Sequence, residues 1–141
     1  MAISFQADNV KLPVIKKREI SKWIKTVALK YGKTTDEISY IFCDDEKILE
    51  INKEYLKHDY YTDIITFDYS EGEKISGDIF ISIDTVKSNS QMYTTDYQDE
   101  LYRVIIHGVL HLCGLDDSSE AEQKIMREAE DNALKLLKHN D

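Results

Sequence analysis

The sequence predicts an α+β fold, with a small mixed β-sheet of about four strands surrounded by about five helices. The predicted elements run in the order β α β α β β α α α, and three helices close the chain after a pair of adjacent strands. This order favours α+β over a doubly wound α/β fold. The chain has 141 residues, 42% of them hydrophobic and only one a proline. These values predict one domain over residues 1–141 with a single core.

The elements of the first half follow from periodicity and capping. A short strand over residues 3–8 precedes a helix over residues 16–31, which Gly32 ends. The helix has one apolar face, formed by Ile20, Trp23, Ile24, Val27 and Tyr31. A strand over residues 37–43 follows, and a helix then begins at a capping aspartate, Asp44 or Asp45.

The second half continues with β-branched and aromatic runs that predict strands, and then with apolar helices. A Ser119–Glu122 capping box opens the last helix. The helix that begins at Asp44 or Asp45 is predicted to end at about residue 56. An irregular segment at 57–63, a strand at 64–69, a turn-rich loop at 70–77 and a strand at 78–83 follow. Three helices complete the chain: one at 84–93, a central apolar one at 98–113 and one at 119–138.

Charge is unevenly distributed along the chain. The net charge of −9 argues against a protein that coats nucleic acid non-specifically. Residues 11–33, however, hold eight of the eighteen lysines and arginines and only one acid. Arg18, Lys22 and Lys25 fall on the helix face opposite the apolar one. This face is either an ordinary solvated helix surface or a surface that contacts phosphate groups, and composition does not choose between them.

Localisation is indicated by what the sequence lacks. No apolar run approaches the roughly 20 residues that a membrane crossing needs, and the N-terminus does not read as a signal peptide. Two cysteines, Cys43 and Cys113, do not make a disulfide framework. We therefore expect a cytoplasmic protein with no membrane partner.

The strongest chemical signal is a histidine pair in the predicted central helix. His107 and His111 are four residues apart, so both imidazoles project from one helix face and can reach one metal ion. Gly114 can then turn the chain so that Asp116 or Asp117 returns towards the pair. Two histidines and a carboxylate, with positions open for water, form a familiar catalytic zinc set. A histidine held by hydrogen bonds inside the core is the alternative.

The same spacing is similar to that of a zinc-peptidase helix. Those enzymes need a glutamate directly after the first histidine, where it acts as the general base. Gly108 occupies that position here and has no side chain. A peptidase that uses this mechanism is therefore disfavoured, and any metal chemistry has to depend more on the water that the ion activates.

Three segments carry motifs that can be compared with a known family. Residues 107–117 read H-G-V-L-H-L-C-G-L-D-D, residues 52–67 read N-K-E-Y-L-K-H-D-Y-Y-T-D-I-I-T-F, and residues 77–79 read G-D-I. In this order they resemble the motifs H-G-x-L-H-L-x-G-Y-D-H, N-x-x-Y-R-x-x-D-x-P-T-D-V-L-S-F and G-D-I of the YbeY family, single-domain bacterial endoribonucleases that depend on metal. Three linked motifs are far more specific than one histidine pair.

The resemblance implies a small mixed sheet with helices around it and a zincin-like active-site helix. It implies one Zn²⁺ per chain, or another divalent metal, held by His107, His111 and Asp117, with Asp116 as the second choice. It further implies a single-strand-specific endoribonuclease in ribosomal RNA processing, notably 3′-end maturation of the small-subunit RNA, and in ribosome quality control. The implied partners are ribosomal RNA and the small ribosomal subunit, and no DNA is expected.

Three departures from the family's pattern bear on the chemistry of the site. Asp117 stands where the family has a third histidine, and a carboxylate there shifts the site towards harder metals. Leu115 replaces a tyrosine. Leu56 replaces an arginine that is associated with activity in the family, and a leucine cannot contact phosphate. The catalytic cation therefore has to come from another position if the chain cleaves RNA.

Arg103 is our candidate for that replacement. It lies four residues before His107 on the same helix face, so we expect it to point towards the metal cleft and to stabilise the scissile phosphate. A surface or structural arginine is the alternative interpretation. Lys57 and His58 are weaker candidates, and we interpret both first as loop residues.

Two functions follow as hypotheses. In the first, the ion activates a water molecule or polarises the phosphate while the ribose 2′-OH attacks, and Arg18, Lys22 and Lys25 hold the RNA backbone. In the second, zinc only stabilises a non-catalytic ribosome-assembly factor. Leu56 and the acidic net charge favour the second hypothesis.

Overall fold

The computed structural model of the protein describes residues 3–56 and 62–139. These residues form a four-stranded mixed sheet and five α-helices, so the predicted α+β class is confirmed. The strands are β1 (Ile3–Ala7), β2 (Thr34–Cys43), β3 (Ile64–Asp68) and β4 (Lys74–Ser82). The helices are α1 (Lys17–Lys30), α2 (Asp45–Ile51), α3 (Ile83–Met92), α4 (Tyr97–Leu112) and α5 (Glu120–His139). A π-helical turn, Asn52–Leu56, extends α2.

The sheet order is β1-β2-β4-β3. The strands β1, β2 and β4 run parallel, and β3 runs antiparallel to β4. The register aligns Phe5 with Tyr40, Tyr40 with Ile79, and Ile79 with Thr66. The strands β1 and β3 therefore form opposite edges of the sheet.

The main core lies on one face of the sheet, beneath α1, α4 and α5. Alternate residues of β2 are fully buried there, as the pleat of a strand requires, and the Tyr40 hydroxyl donates to the Ile105 carbonyl of α4 at 2.8 Å. The indole N–H of Trp23 donates to the Ala133 carbonyl at 2.7 Å and joins α1 to α5. Helix α4 contacts α1, α3, α5, β3 and β4. Its central position is as the sequence predicts.

A smaller apolar cluster lies on the other face of the sheet, beneath α2. Its buried members are Cys43, Ile48, Ile51 and Ile65. The Asp44 side chain caps α2 by accepting from the Lys47 backbone N–H at 2.9 Å. In the part of the chain described, no helix combines the length and the apolar character that crossing a bilayer would take.

The boundaries of two strands differ from the prediction. Strand β2 begins at Thr34 rather than residue 37, and β4 begins at Lys74 rather than residue 78, so half of the predicted 70–77 loop is strand. Thr34 pairs with Lys74, which extends both strands together. Ser-Gly at positions 76 and 77 has the composition of a turn, but Gly77 lies in the strand, where an added Cβ would collide with the Phe67 carbonyl. Glycine is required at this position because the two strands approach each other closely, and not because the chain turns here.

Candidate active site

A cleft of about 390 Å³ opens between β3, α4 and α5. Chemistry-bearing side chains reach it from several elements: Asp63 from the segment before β3, Glu100, Arg103, His107 and His111 from α4, Asp117 from the following loop, and Arg127 and Glu130 from α5. The predicted histidine pair and the predicted acid therefore line one cavity.

Close packing of α4 on the sheet positions the histidines. A Cβ at Gly108 would lie 3.0 Å from Ile79 Cδ1 and 3.2 Å from Ile64 Cδ1. Glycine thus lets the helix approach β3 and β4 one residue after His107. The residue that disfavours the peptidase mechanism has a packing role here.

The turn after α4 brings Asp117 back to the helix, as its glycine predicts. Gly114 adopts a φ of +109°, which favours glycine and reverses the chain. Gln123 donates to the Asp117 carbonyl at 3.0 Å and holds the loop. Ser119 and Glu122 exchange side-chain-to-backbone hydrogen bonds of 3.1 and 3.0 Å, so the predicted capping box is formed.

His107 is the best-defined group of the site. Its Nε2 lies 3.3 Å from Asp117 Oδ2, and its Nδ1 lies 2.7 Å from Glu130 Oε2. Burial alone would lower the pKa of His107, but the hydrogen bond to Glu130 and the nearby carboxylates of Asp117 and Asp63 raise it above its ordinary value. Both ring nitrogens of the histidine are therefore directed at carboxylate oxygens.

His111 lines the same cleft, one turn further along α4, and is partly buried. Asp117 rather than Asp116 is the acid next to the histidines, since Asp117 lines the cleft and contacts His107, whereas Asp116 does not line the cleft. Asp63 lies across from them, and burial raises its pKa although the nearby His107 acts in the opposite direction.

Sequence reasoning missed Glu130. Its side chain is only 7% exposed, and it accepts from Arg103 at 2.8 Å while its other oxygen contacts His107. Burial would raise the pKa of Glu130, but hydrogen bonds from His107 and Arg103 lower it below its ordinary value. A signal was present, because this acid stands among the buried positions of α5, namely Met126, Ala129 and Ala133. An ionised group on an apolar stripe needs partners, and these partners are in the site.

Arg103 lines the cleft as expected, but its guanidinium is already paired with two carboxylates. Its two terminal nitrogens lie 2.8 Å from Glu130 Oε1 and 2.6 Å from Asp131 Oδ1, and its side chain is 20% exposed. Burial lowers the pKa of Arg103, yet these two carboxylates raise it overall. The geometry favours the structural interpretation of this arginine, in which it braces Glu130. Its predicted contact with a scissile phosphate stays a prediction.

Part of the arrangement fits a metal ion. Two ligands of one tetrahedral ion, each about 2.1 Å from it, are separated by about 3.4 Å, close to the 3.3 Å between His107 Nε2 and Asp117 Oδ2. Over residues 3–56 and 62–139, however, no three His, Cys, Asp or Glu side chains are already grouped as a metal site. A three-residue set would require His111 and this pair to come closer together.

The predicted RNA-binding residues lie elsewhere. Arg18, Lys22 and Lys25 line a groove beside Ile3–Phe5 of β1, at the sheet edge opposite β3. They are not brought together with the histidine cleft, and their binding role stays a prediction. Leu115 is partly buried against the main core. Lys57 and His58 lie outside the described residues.

The fold and the cleft define a class: small α+β proteins whose central helix presents a histidine pair to a carboxylate-lined cleft. The family model described as Endoribonuclease YbeY matches residues 2–138. The chain therefore belongs to the YbeY family.

Similar proteins agree with this assignment over nearly the whole chain. The Endoribonuclease YbeY of Parabacteroides distasonis is 61% identical over 137 residues, covering 97% of this chain and 96% of that protein. That of Bacteroides thetaiotaomicron is 59% identical, covering 96% and 99%. The solution structure of a Thermotoga maritima protein has a TM-score of 0.63 at 20% identity, covering 99% of this chain and 93% of that one. This last likeness concerns the fold alone.

Proposed function

We propose that the protein is an endoribonuclease that cleaves single-stranded RNA with one divalent metal ion, zinc in the first instance. His107, His111 and Asp117 would hold the ion. The observation that supports this most is the 3.3 Å approach of His107 Nε2 to Asp117 Oδ2 in a cleft that His111 also lines. Membership of a family described as endoribonucleases supports the RNA substrate.

Glu130 prepares His107 for this role. By accepting a hydrogen bond from Nδ1–H at 2.7 Å, Glu130 would leave the Nε2 lone pair free to bind the ion. Arg103 in turn fixes Glu130, so the imidazole orientation depends on a buried chain of charged groups. The chain's own residues thus set which nitrogen is free to act as a ligand.

The charge of the cleft also supports a bound cation. Among the described residues, four acids line it, Asp63, Glu100, Asp117 and Glu130, against two arginines. An excess of carboxylates repels RNA phosphates unless a cation offsets it. When bound, a divalent ion supplies Lewis acidity to a phosphoryl oxygen or lowers the pKa of a water molecule.

The biological substrate in this proposal is ribosomal RNA, with 3′-end maturation of the small-subunit RNA and ribosome quality control as the processes served. The small ribosomal subunit would be the partner. The free thiols of Cys43 and Cys113 suit a reducing compartment, and we place the activity in the cytoplasm. Arg18, Lys22 and Lys25 would contact the RNA backbone away from the cleft.

Metal analysis combined with RNA cleavage tests the proposal. We expect purified protein to bind about one zinc per chain and to cleave single-stranded RNA, with chelation abolishing cleavage and added zinc restoring it. The variants His111→Ala and Asp117→Ala should lose both metal and cleavage. Asp116→Ala is the matched control and should retain both. Equal metal content in Asp117→Ala and wild type, or cleavage that survives chelation, would contradict the proposal.

The second candidate is a non-catalytic ribosome-assembly factor stabilised by zinc. Two observations favour it: position 56 is leucine where the family has arginine, and the guanidinium of Arg103 is already paired with Glu130 and Asp131. It predicts no RNA cleavage by the wild-type protein. The His111→Ala variant would then lower the melting temperature and ribosome association together.

A further inference from the structure

A second depression adjoins the cleft on the α5 side. Its volume is about 410 Å³, and it shares His107, Asp117, Arg127 and Glu130 with the cleft. Lys124, one turn before Arg127 on α5, lines this depression but not the cleft. The two cations therefore stand on one helix face beside the histidine that the proposed function uses.

The guanidinium of Arg127 is more exposed and less closely paired with carboxylates than that of Arg103. Its side chain is 67% exposed, and its ion pair with Glu130 spans 3.9 Å, near the outer limit of such contacts. Arg103 is 20% exposed and makes pairs of 2.8 and 2.6 Å. Lys124 is exposed and forms no ion pair within the described ranges. The donors of Arg127 and Lys124 are thus available to a ligand.

The local charge balance also distinguishes this depression from the cleft. In the part of the chain that the structure describes, four acids and two arginines line the cleft, whereas two acids, Asp117 and Glu130, line the depression against Lys124 and Arg127. A polyanion that enters the site meets less repulsion on the α5 side. An exposed guanidinium also presents paired donors that match the oxygens of a phosphate group.

We propose that Lys124 and Arg127 form a phosphate subsite that holds the backbone of single-stranded RNA beside the bond to be cleaved. The subsite rests on the proposed function and gives the RNA path a direction, from the histidine cleft along the first turns of α5. Arg127 takes the phosphate contact that the sequence assigns to Arg103, while Arg103 braces Glu130.

Binding across a salt series tests the subsite. The probe is fluorescein-labelled single-stranded 2′-O-methyl RNA, which lacks the free 2′-OH and is titrated against metal-loaded protein by fluorescence anisotropy. Arg127→Gln and Lys124→Gln should each raise Kd about fivefold to tenfold at low salt, as for one exposed charge-assisted contact. Each should also reduce the slope of log K against log salt by about 0.7. Arg127→Lys keeps the charge but not the paired donors, so it should recover the salt slope and only part of the affinity.

The matched control is Lys135→Gln, which removes one charge from an exposed position of α5 that lines neither cavity. It should retain the wild-type Kd and salt slope. For unmodified RNA, Arg127→Gln should raise KM more than it lowers kcat, with an unchanged melting temperature.

The outcomes separate the two proposals. If the wild type cleaves RNA while Arg127→Gln and Lys124→Gln match Lys135→Gln at every salt concentration, the subsite is wrong and the proposed function stands. If the wild type neither binds nor cleaves single-stranded RNA with any divalent metal, the proposed function fails and the subsite fails with it.

Discussion

Glu130 connects the histidine site to the hydrophobic core. Replacing it with alanine would leave Arg103 and His107 facing each other without their common carboxylate, and removing one partner of a buried ion pair costs about 3–5 kcal/mol. Because Arg103 and His107 are each about one-fifth exposed, we expect Glu130→Ala to lower the free energy of unfolding by about 3 kcal/mol, measured by urea denaturation.

Asp131→Ala is the matched control for this prediction. It removes the second partner of Arg103, but its side chain is 50% exposed and the pair is open to solvent. We expect a loss of about 0.5 kcal/mol. Equal losses in the two variants would show that Glu130 has no special place in the network.

The same network makes stability depend on pH in the metal-free protein. The pKa of His107 is raised above 6.5, so its contribution to stability is fully present below that value and is lost as pH rises through the raised pKa. The pKa of Glu130 is lowered from 4.5, so its contribution is present above 4.5 and is lost as pH falls through the lowered pKa. Stability should therefore peak between these two ranges.

Urea denaturation from pH 3 to pH 9 measures this profile. The His107→Gln variant is the comparison, because it cannot gain a proton at that position. We expect the decline on the alkaline side to be smaller in this variant than in wild type. An identical alkaline decline in both proteins would assign it to other groups.

At the residue scale, the sequence predicts the groups that local geometry controls. The i, i+4 spacing places His107 and His111 on one helix face, and a glycine after the helix returns Asp117 to them. Glu130 could not be placed in this way. Its contact with His107 depends on how α5 docks against α4, and helix docking is set by packing over the whole core.

At the element scale, β4 shows how composition misleads. Gly77 is in the strand, and the added Cβ of Gly77→Ala would meet the Phe67 carbonyl, a backbone atom that cannot move aside easily. We expect this substitution to lower the free energy of unfolding by about 2 kcal/mol or more, measured by urea denaturation.

Ser76→Ala is the control in the same strand. The hydrogen bonds of Ser76 with Ser70 and Tyr69 use its backbone atoms, which alanine retains. We expect a change within about 0.5 kcal/mol. A Gly77→Ala protein as stable as Ser76→Ala would show that β3 and β4 can separate at this point.

The order of the elements, by contrast, could be predicted from the sequence alone. The apolar stripe of α1 and the β-branched run of β3 are local patterns, and both elements form within one or two residues of the prediction. The early start of β2 and β4 could not be predicted from the sequence, because Thr34 and Lys74 become part of the strands only by pairing with each other. Propensity describes a residue alone, whereas pairing depends on its partner.

At the scale of the whole molecule, the positive charge is divided between two places. The groove of Arg18, Lys22 and Lys25 borders β1, whereas the cleft borders β3 at the other sheet edge. Changing all three to glutamine should weaken binding of long single-stranded RNA more than of a short oligonucleotide, because only a long strand reaches both places. Anisotropy with the two lengths measures this.

The control for this prediction is a triple variant of exposed lysines outside the groove and the cleft, at positions 30, 74 and 135. It removes the same charge but should affect the two RNA lengths equally. Equal weakening of both lengths by the groove variant would place the groove outside the RNA path.

The bond between the Trp23 indole and the Ala133 carbonyl has a practical consequence. Trp23 is the sole tryptophan of the chain and is 2% exposed, and Ala133 lies one helical turn beyond Glu130. Any displacement of α5 from the core would expose this indole to water and shift its fluorescence emission to longer wavelength. The protein thus contains an intrinsic fluorophore that reports, without labelling, whether the helix that forms one wall of the histidine cleft is in place.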